Sequence, residues 1–99
     1  MAERDIVAAI MRLLRQIPGC FCWKEHGGMY GTAGIPDIIA CIGGRFVAFE
    51  VKTDTGVVSK LQEITIHKIR DAGGIACVVR SVADVRQVLD EMEAVHGTE

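Results

Sequence analysis

Two carboxylates and a lysine are spaced so that a β-hairpin would bring them together. Gly43-Gly44 separates two runs rich in Ile, Val, Ala and Phe, and two such glycines are a strong hairpin signal because the tight turn needs positive φ. With these glycines in the turn, the numbers of paired residues add up to 87, so Asp37 lies opposite Glu50. Lys52 emerges on the same face, because side chains of a strand alternate.

Asp37 and Glu50 offer the oxygen ligands of a divalent-cation site. Facing carboxylates repel unless a cation lies between them, and Mg²⁺ or Mn²⁺ prefers such ligands, with water and phosphate completing the coordination. The ion lowers the pKa of a bound water, while Lys52 is suited to position or deprotonate that water and to offset charge on a phosphate. The pattern therefore favours phosphodiester hydrolysis. The alternative is a structural salt bridge, with Lys52 as the cation at a polar hairpin end.

The residues around this set resemble the PD-(D/E)xK nuclease motif, as Gly34-Ile35-Pro36-Asp37 followed by Glu50-Val51-Lys52. Segments 56–62, 70–74 and 78–81 are similar to the VRR-NUC branch of that superfamily, and the likeness covers about residues 31 to 89. The resemblance implies a restriction-endonuclease-like core, dependence on Mg²⁺ or Mn²⁺, and cleavage of structured or branched DNA such as four-way (Holliday) junctions or flaps.

The resemblance also implies a role for individual residues. Asp37 and Glu50 match the family's metal ligands, Lys52 its catalytic lysine, and the backbone carbonyl of Val51 a further ligand. Gln62 matches a glutamine that helps to hold the active-site water.

Two assignments have a structural alternative that the sequence leaves open. Ser59-x-x-Gln62 is also a capping box, in which the glutamine returns to the N-cap backbone N–H. Glu3 matches an acidic residue that can complete the metal site, but an acidic residue in a first helical turn also simply favours the helix dipole.

A further prediction concerns DNA contacts, at Lys24, His26, Tyr30 and Lys60. His26 and Tyr30 lie in a glycine-rich loop, and Lys60 begins a predicted helix. Basic side chains at such positions contact phosphates in some proteins, but scattered ones usually just face solvent.

Apolar periodicity predicts the elements that position these residues. The expected order is α-β-β-β-α-β-α, an α/β fold with a mixed β-sheet flanked by helices, since the crossover between the last two strands implies a parallel pair. In the middle helix the predicted inner stripe is Leu61, Ile64 or Thr65, Ile69 and Ala72. The predicted ranges are helices at 3–17, 59–72 and 81–95, and strands at 20–25, 36–42, 45–52 and 75–80.

Composition limits the remaining possibilities. At 99 residues, with 49% hydrophobic and 24% charged content, we expect residues 1–99 to form a single nuclease-like domain. No signal peptide and no run of about 18 apolar residues is visible, so we expect a cytoplasmic protein without membrane association. The net charge of −2 leaves DNA binding open. The four cysteines lack C-x-x-C spacing, which argues against zinc.

The quaternary and functional alternatives complete these expectations. The short forms of the family lack added DNA-reading domains, which favours a homodimer that presents two sites to branched DNA. The alternative function is a non-catalytic nucleic-acid-binding or assembly module that keeps the nuclease fold. An unrelated salt-bridged α/β interaction domain is the remaining alternative.

Overall fold

The computed structural model describes residues 1–26 and 31–97, with side chains in the last helix described to residue 93. The elements follow the predicted order α-β-β-β-α-β-α, and their ends differ from the predicted ends by no more than two residues. The elements are α1 (Glu3–Arg15), β1 (Cys20–Lys24), β2 (Ile38–Ile42), β3 (Arg45–Val51), α2 (Lys60–Asp71), β4 (Ile75–Val79) and α3 (Val82–Gly97).

The four strands form one mixed sheet in the order β1-β2-β3-β4. The first two pairings are antiparallel, and β4 runs parallel to β3 as the crossover predicted. The β2–β3 register runs from Ile42↔Arg45 to Ile38↔Phe49, which confirms the predicted hairpin. Its turn residues Gly43 and Gly44 have φ of 58° and 82°, a conformation that other L-residues rarely adopt.

Helices α1 and α3 cover one face of the sheet, called here the α1/α3 face. Its core is apolar, and α1 contributes every third or fourth residue because that spacing keeps one side of a helix facing the sheet. The buried residues of this core are Ile6, Val7, Ile10, Met11, Leu14, Ile38, Ala40, Val47, Phe49, Val51, Val79 and Val85.

Helix α2 covers part of the opposite face, called the α2 face. The core there is smaller and consists of Ile39, Ala48, Ile66 and Ala76, with Ile35, Ile69 and Val78 packed against it.

The predicted inner stripe of α2 is wrong in phase. Ile66 is the buried residue of this helix, whereas Leu61, Ile64 and Ala72 are exposed. The helix is rotated so that Gln62 and Ile66, four residues apart, share its inner side, and of the predicted stripe Thr65 and Ile69 are half-buried.

In the part of the chain that the structure describes, no helix is long and apolar enough to cross a membrane. All four cysteines are free thiols. Burial raises the pKa of Cys20 to about 11, with Cys22 as the next contributor.

Candidate active site

The end of the β2–β3 hairpin places the predicted carboxylates together on the α2 face. Asp37 directly precedes β2, and its Oδ2 accepts a hydrogen bond of 2.7 Å from the backbone N–H of Val51. Glu50 lies one position beyond the pair Ile38↔Phe49 in the same register. The carboxyl group of Asp37 is thereby fixed against β3, beside the side chain of Glu50.

Glu50 is only 2% exposed, and it is the one buried polar or charged side chain among the described residues. Its Oε2 accepts a hydrogen bond of 3.1 Å from Nε2 of Gln62 and lies 3.6 Å from Nζ of Lys52. Burial, followed by the hydrogen bond and the charge of Asp37, raises the pKa of the Glu50 carboxyl to about 8, and the charge of Lys52 opposes this rise only in part. Removing this carboxyl from water is unfavourable, so its position calls for a reason other than stability.

Gln62 forms the capping box and also reaches the Glu50 carboxyl. Its Oε1 accepts a hydrogen bond of 2.9 Å from the backbone N–H of Ser59, and the backbone N–H of Gln62 donates to Ser59 Oγ at 3.1 Å. The same side chain donates through Nε2 to Glu50. The amide oxygen of Gln62 is bound in the capping box, which leaves its amide nitrogen free to donate to Glu50. The capping box therefore orients the side chain toward the carboxylates.

Gly34 brings the segment before Asp37 close to α2. Its φ is +83°, and a Cβ there would lie 2.7 Å from Oγ1 of Thr65 and 2.8 Å from Cγ of Leu61. Any larger residue would push the segment away from the helix. The Gly-Ile-Pro-Asp motif indicated that this glycine belongs to the site, but the sequence did not show that it approaches α2.

Glu3 and Lys24 lie at the margin of the site. A cavity of about 180 Å³ opens beside Asp37, and the charge of Glu3 makes a small contribution to raising the pKa of Glu50. Glu3 is exposed and no direct bond joins it to the carboxylates among the described contacts. The cavity is lined by Glu3, Arg4, Val7, Lys24, Glu25 and Asp37.

The other predicted contact residues are less closely tied to this site. His26 and Lys60 are exposed, and Lys60 begins α2 two residues before Gln62. Tyr30 lies outside the described residues. The structure thus brings together Asp37, Glu50, Lys52 and Gln62 of the predicted set.

The donor set fits a hard divalent cation better than zinc. Within the side chains that the structure describes, those of residues 1–26 and 31–93, no three His, Cys, Asp or Glu cluster as a metal-binding group. Two carboxylates are present, so a backbone carbonyl (Val51 by the resemblance) and water would have to supply the remaining ligands. Mg²⁺ commonly keeps several waters and takes one or two carboxylates, whereas zinc prefers three or four protein ligands.

Solved structures with the same architecture were found by comparison. One, named "VRR_NUC domain protein", superposes with a TM-score of 0.75 at 20% identity, over 91% of this chain and 86% of its own. Another, named "VRR_NUC domain", superposes with a TM-score of 0.75 at 20% identity, over 89% of this chain and 94% of its own. The chain has the VRR_NUC fold. This confirms, for the fold, the resemblance that the motifs indicated.

The VRR_NUC fold is restriction-endonuclease-like, and a more distant structure supports that class. A Holliday junction resolvase from Archaeoglobus fulgidus, an archaeal hyperthermophile, aligns with a TM-score of 0.52 at 23% identity, over 80% of this chain and 64% of its own. No family model matches the sequence, and no curated protein matches it significantly.

Proposed function

We propose that this protein is a metal-dependent, structure-specific DNA endonuclease that hydrolyses phosphodiester bonds in branched DNA. The observation that carries the proposal is the buried Glu50 carboxyl beside Asp37, Lys52 and Gln62. A buried acid with a strongly raised pKa, among other polar groups, is typical of functional sites. The VRR_NUC fold supports the same class of chemistry.

In the proposed reaction, Asp37, Glu50 and the Val51 carbonyl would hold Mg²⁺ or Mn²⁺. When bound, such an ion acidifies water and neutralises charge on a phosphate. Lys52 positions the attacking water, or takes its proton, and offsets the negative charge that develops on the phosphate. Gln62 orients Glu50 and a water at the same end of the sheet, and Glu3 extends the acidic margin.

The proposed substrate is a four-way junction or a flap, recognised by shape. The archaeal neighbour is named as a Holliday junction resolvase, and shape recognition relies on contacts with the DNA backbone. We assign contacts with the DNA backbone to Lys24 and Lys60, which flank the site, and to His26 and Tyr30. Lys60 lies at the N-terminus of α2, and helix N-termini favour anions.

A homodimer is part of the proposal, and exposed aromatic residues of the α2 face support it. Phe21, Cys41 and Phe46 are paired in one row across β1, β2 and β3, and Trp23 lies 5.8 Å from Phe21 between ring centroids. The three aromatic side chains are 70% (Phe21), 43% (Trp23) and 46% (Phe46) exposed. We call these four residues the aromatic patch.

The size of this patch fits a second copy of the chain. At about 200 Å² per ring, its aromatic residues expose about 300 Å², whereas a stable interface buries about 800 Å² on each partner. The patch would thus form the centre of such an interface. β1 is an edge strand, so a two-fold axis beside it can pair equal surfaces.

A substrate panel tests the proposed activity. The purified protein is incubated with end-labelled linear, flap and four-way junction DNA in Mg²⁺, Mn²⁺ or EDTA. We expect cleavage of a branched substrate in at least one metal and none in EDTA. Absence of cleavage of every substrate in both metals would contradict the enzyme proposal, and tight junction binding without cleavage would favour the non-catalytic module.

A further inference from the structure

A tight turn follows Lys52 and is held by an arginine from another element. Gly56 N–H donates to the Thr53 carbonyl at 3.1 Å, which closes the segment called here the 53–56 turn. Nη1 of Arg80 donates to the carbonyls of both Thr53 and Gly56, the second at 3.0 Å. One guanidinium nitrogen therefore spans the two ends of the turn.

The turn is packed against the side chain of Lys52. A Cβ at position 56 would lie 3.2 Å from Cβ and 3.4 Å from Cδ of Lys52, so glycine leaves room for the lysine stem. The Lys52 backbone N–H donates to the Val79 carbonyl at 3.0 Å, in the residue before Arg80. The turn thus packs against the side chain of Lys52, and the end of β4 fixes its backbone.

Arg80 is itself held at the start of α3. Its backbone N–H donates to Oδ2 of Asp84 at 2.8 Å, and the N–H of Asp84 donates to Oγ of Ser81 at 3.2 Å. The guanidinium thus extends from a capped helix start, and its position is defined on both sides. No role in the proposed reaction has so far been assigned to Arg80 or to Gly56.

We propose that Arg80 is a positioning residue for Lys52, acting through the 53–56 turn, and that Gly56 is the contact by which it acts. The proposal rests on the proposed function, in which Lys52 acts on the attacking water. Lysine has a flexible four-carbon stem, and a displacement of about 1 Å costs about 100-fold in rate. Packing of the stem against a clamped turn restricts where Nζ can lie, which favours its position near Glu50.

The test uses Arg80→Met, which removes the donors but keeps an apolar stem, and Arg80→Lys as the conservative variant. Gly56→Ala adds one methyl group beside Lys52, and Arg86→Met replaces an exposed arginine of α3 as a matched control. Single-turnover cleavage at saturating protein, DNA affinity, and hydrogen exchange of the 52–56 amides are measured well below each variant's unfolding temperature.

We expect Arg80→Met and Gly56→Ala to lower the single-turnover rate about 10- to 100-fold, with DNA affinity changed less than about 3-fold. Arg80→Lys should recover part of the rate, and Arg86→Met should behave as the parent. Arg80→Met should also accelerate exchange of the Gly56 amide. When Lys52 is already Ala, Arg80→Met should lower the remaining rate no further, because two residues that act through one group are not additive.

Three results would overturn the positioning role. The first is an unchanged hydrogen-exchange rate of the Gly56 amide in Arg80→Met. This rate can be measured whether or not the protein cuts DNA. The second is a parent-like rate in both Arg80→Met and Gly56→Ala. The third is an equal loss of rate from Arg80→Met with and without Lys52, which would indicate a general structural effect. A parent that cuts no substrate would instead remove the proposed function and, with it, the role of Arg80.

Discussion

The two faces of the sheet are built from the same four strands but have opposite contents. The α1/α3 face buries a continuous apolar core that includes Ile10, Leu14 and Phe49. The α2 face has a core of only four buried apolar residues, buries the carboxyl of Glu50, and leaves Phe21, Trp23 and Phe46 exposed. One face supplies stability, and the other supplies the candidate site and the free surface. Because side chains alternate along each strand, a single hairpin serves both purposes.

The largest expected effect concerns the buried acid of the α2 face. Glu50→Gln should lower DNA cleavage by at least about 1,000-fold, since it removes a proposed metal ligand. Without divalent ions the same change should stabilise the fold by about 1 kcal/mol, because a neutral amide is easier to bury beside Asp37. Cleavage rates and urea unfolding in EDTA measure the two effects.

Glu63→Gln, on the exposed side of α2, is the control for this prediction and should leave both quantities unchanged. A Glu50→Gln protein that is as active as the parent would remove the functional distinction between the faces. Marked destabilisation by Glu50→Gln would indicate that the acid is structural.

The next effect concerns the α1/α3 face. Leu14 is fully buried, so Leu14→Ala should lower the free energy of unfolding by about 3 kcal/mol through lost burial and a cavity. Cleavage per folded molecule should stay within about 3-fold of the parent, because Leu14 lies on the other side of the sheet. Urea unfolding and assays at low temperature check both statements. A large loss of activity in fully folded protein would show that the two faces are coupled.

The aromatic patch gives the third prediction. Phe21→Asp should raise the dimer dissociation constant at least about 100-fold, since a charge would be buried at the centre of the interface. Sedimentation equilibrium measures this constant, and Val57→Asp, at an exposed apolar residue of the loop before α2, is the control. A parent that is monomeric at all concentrations would refute the dimer, and a Phe21→Asp variant that dimerises normally would exclude this surface.

The smallest effect compares two helix caps, one on each face. Ser59 caps α2 and Ser81 caps α3, each through Oγ to the N–H three residues later. Replacing either serine by alanine should lower the free energy of unfolding by about 1 kcal/mol. Ser59→Ala should also lower the cleavage rate, by several-fold and by more than Ser81→Ala, because Ser59 holds Gln62 directly against Glu50, whereas Ser81 acts on Lys52 only through Asp84 and Arg80. Equal cleavage rates in the two variants would contradict a role for Gln62 in the active site.

The sequence predicted the hairpin well because its signals are local. Gly43-Gly44 allows the tight turn and defines the register, and the register places Asp37 opposite Glu50. The order of the elements and the parallel pairing of β4 followed from apolar periodicity and chain connectivity, with no long-range information.

Helix α2 was predicted with the wrong inner side for a physical reason. Periodicity assumes that apolar residues face inward, but Leu61 and Ile64 are exposed beside a groove of about 510 Å³ that Phe46 also lines. Gln62 faces inward instead, because it has a hydrogen-bond partner in Glu50. Exposed apolar and buried polar residues both mark surfaces used for something other than folding, and they are where pattern-based prediction fails. The contacts of Gly34 and Arg80 depend on three-dimensional packing, which the sequence did not show.

Single-turnover cleavage of the preferred branched substrate by Lys52→Met, beside the parent and Arg86→Met, tests the central claim most directly. Methionine keeps most of the lysine stem and removes the ammonium, while Asp37 and Glu50 remain available to bind an ion. The account predicts a loss of at least about 100-fold for Lys52→Met in Mg²⁺ or Mn²⁺, with unchanged DNA affinity and a parent-like rate for Arg86→Met. Cleavage by Lys52→Met at the parent rate would contradict the assignment of the active site.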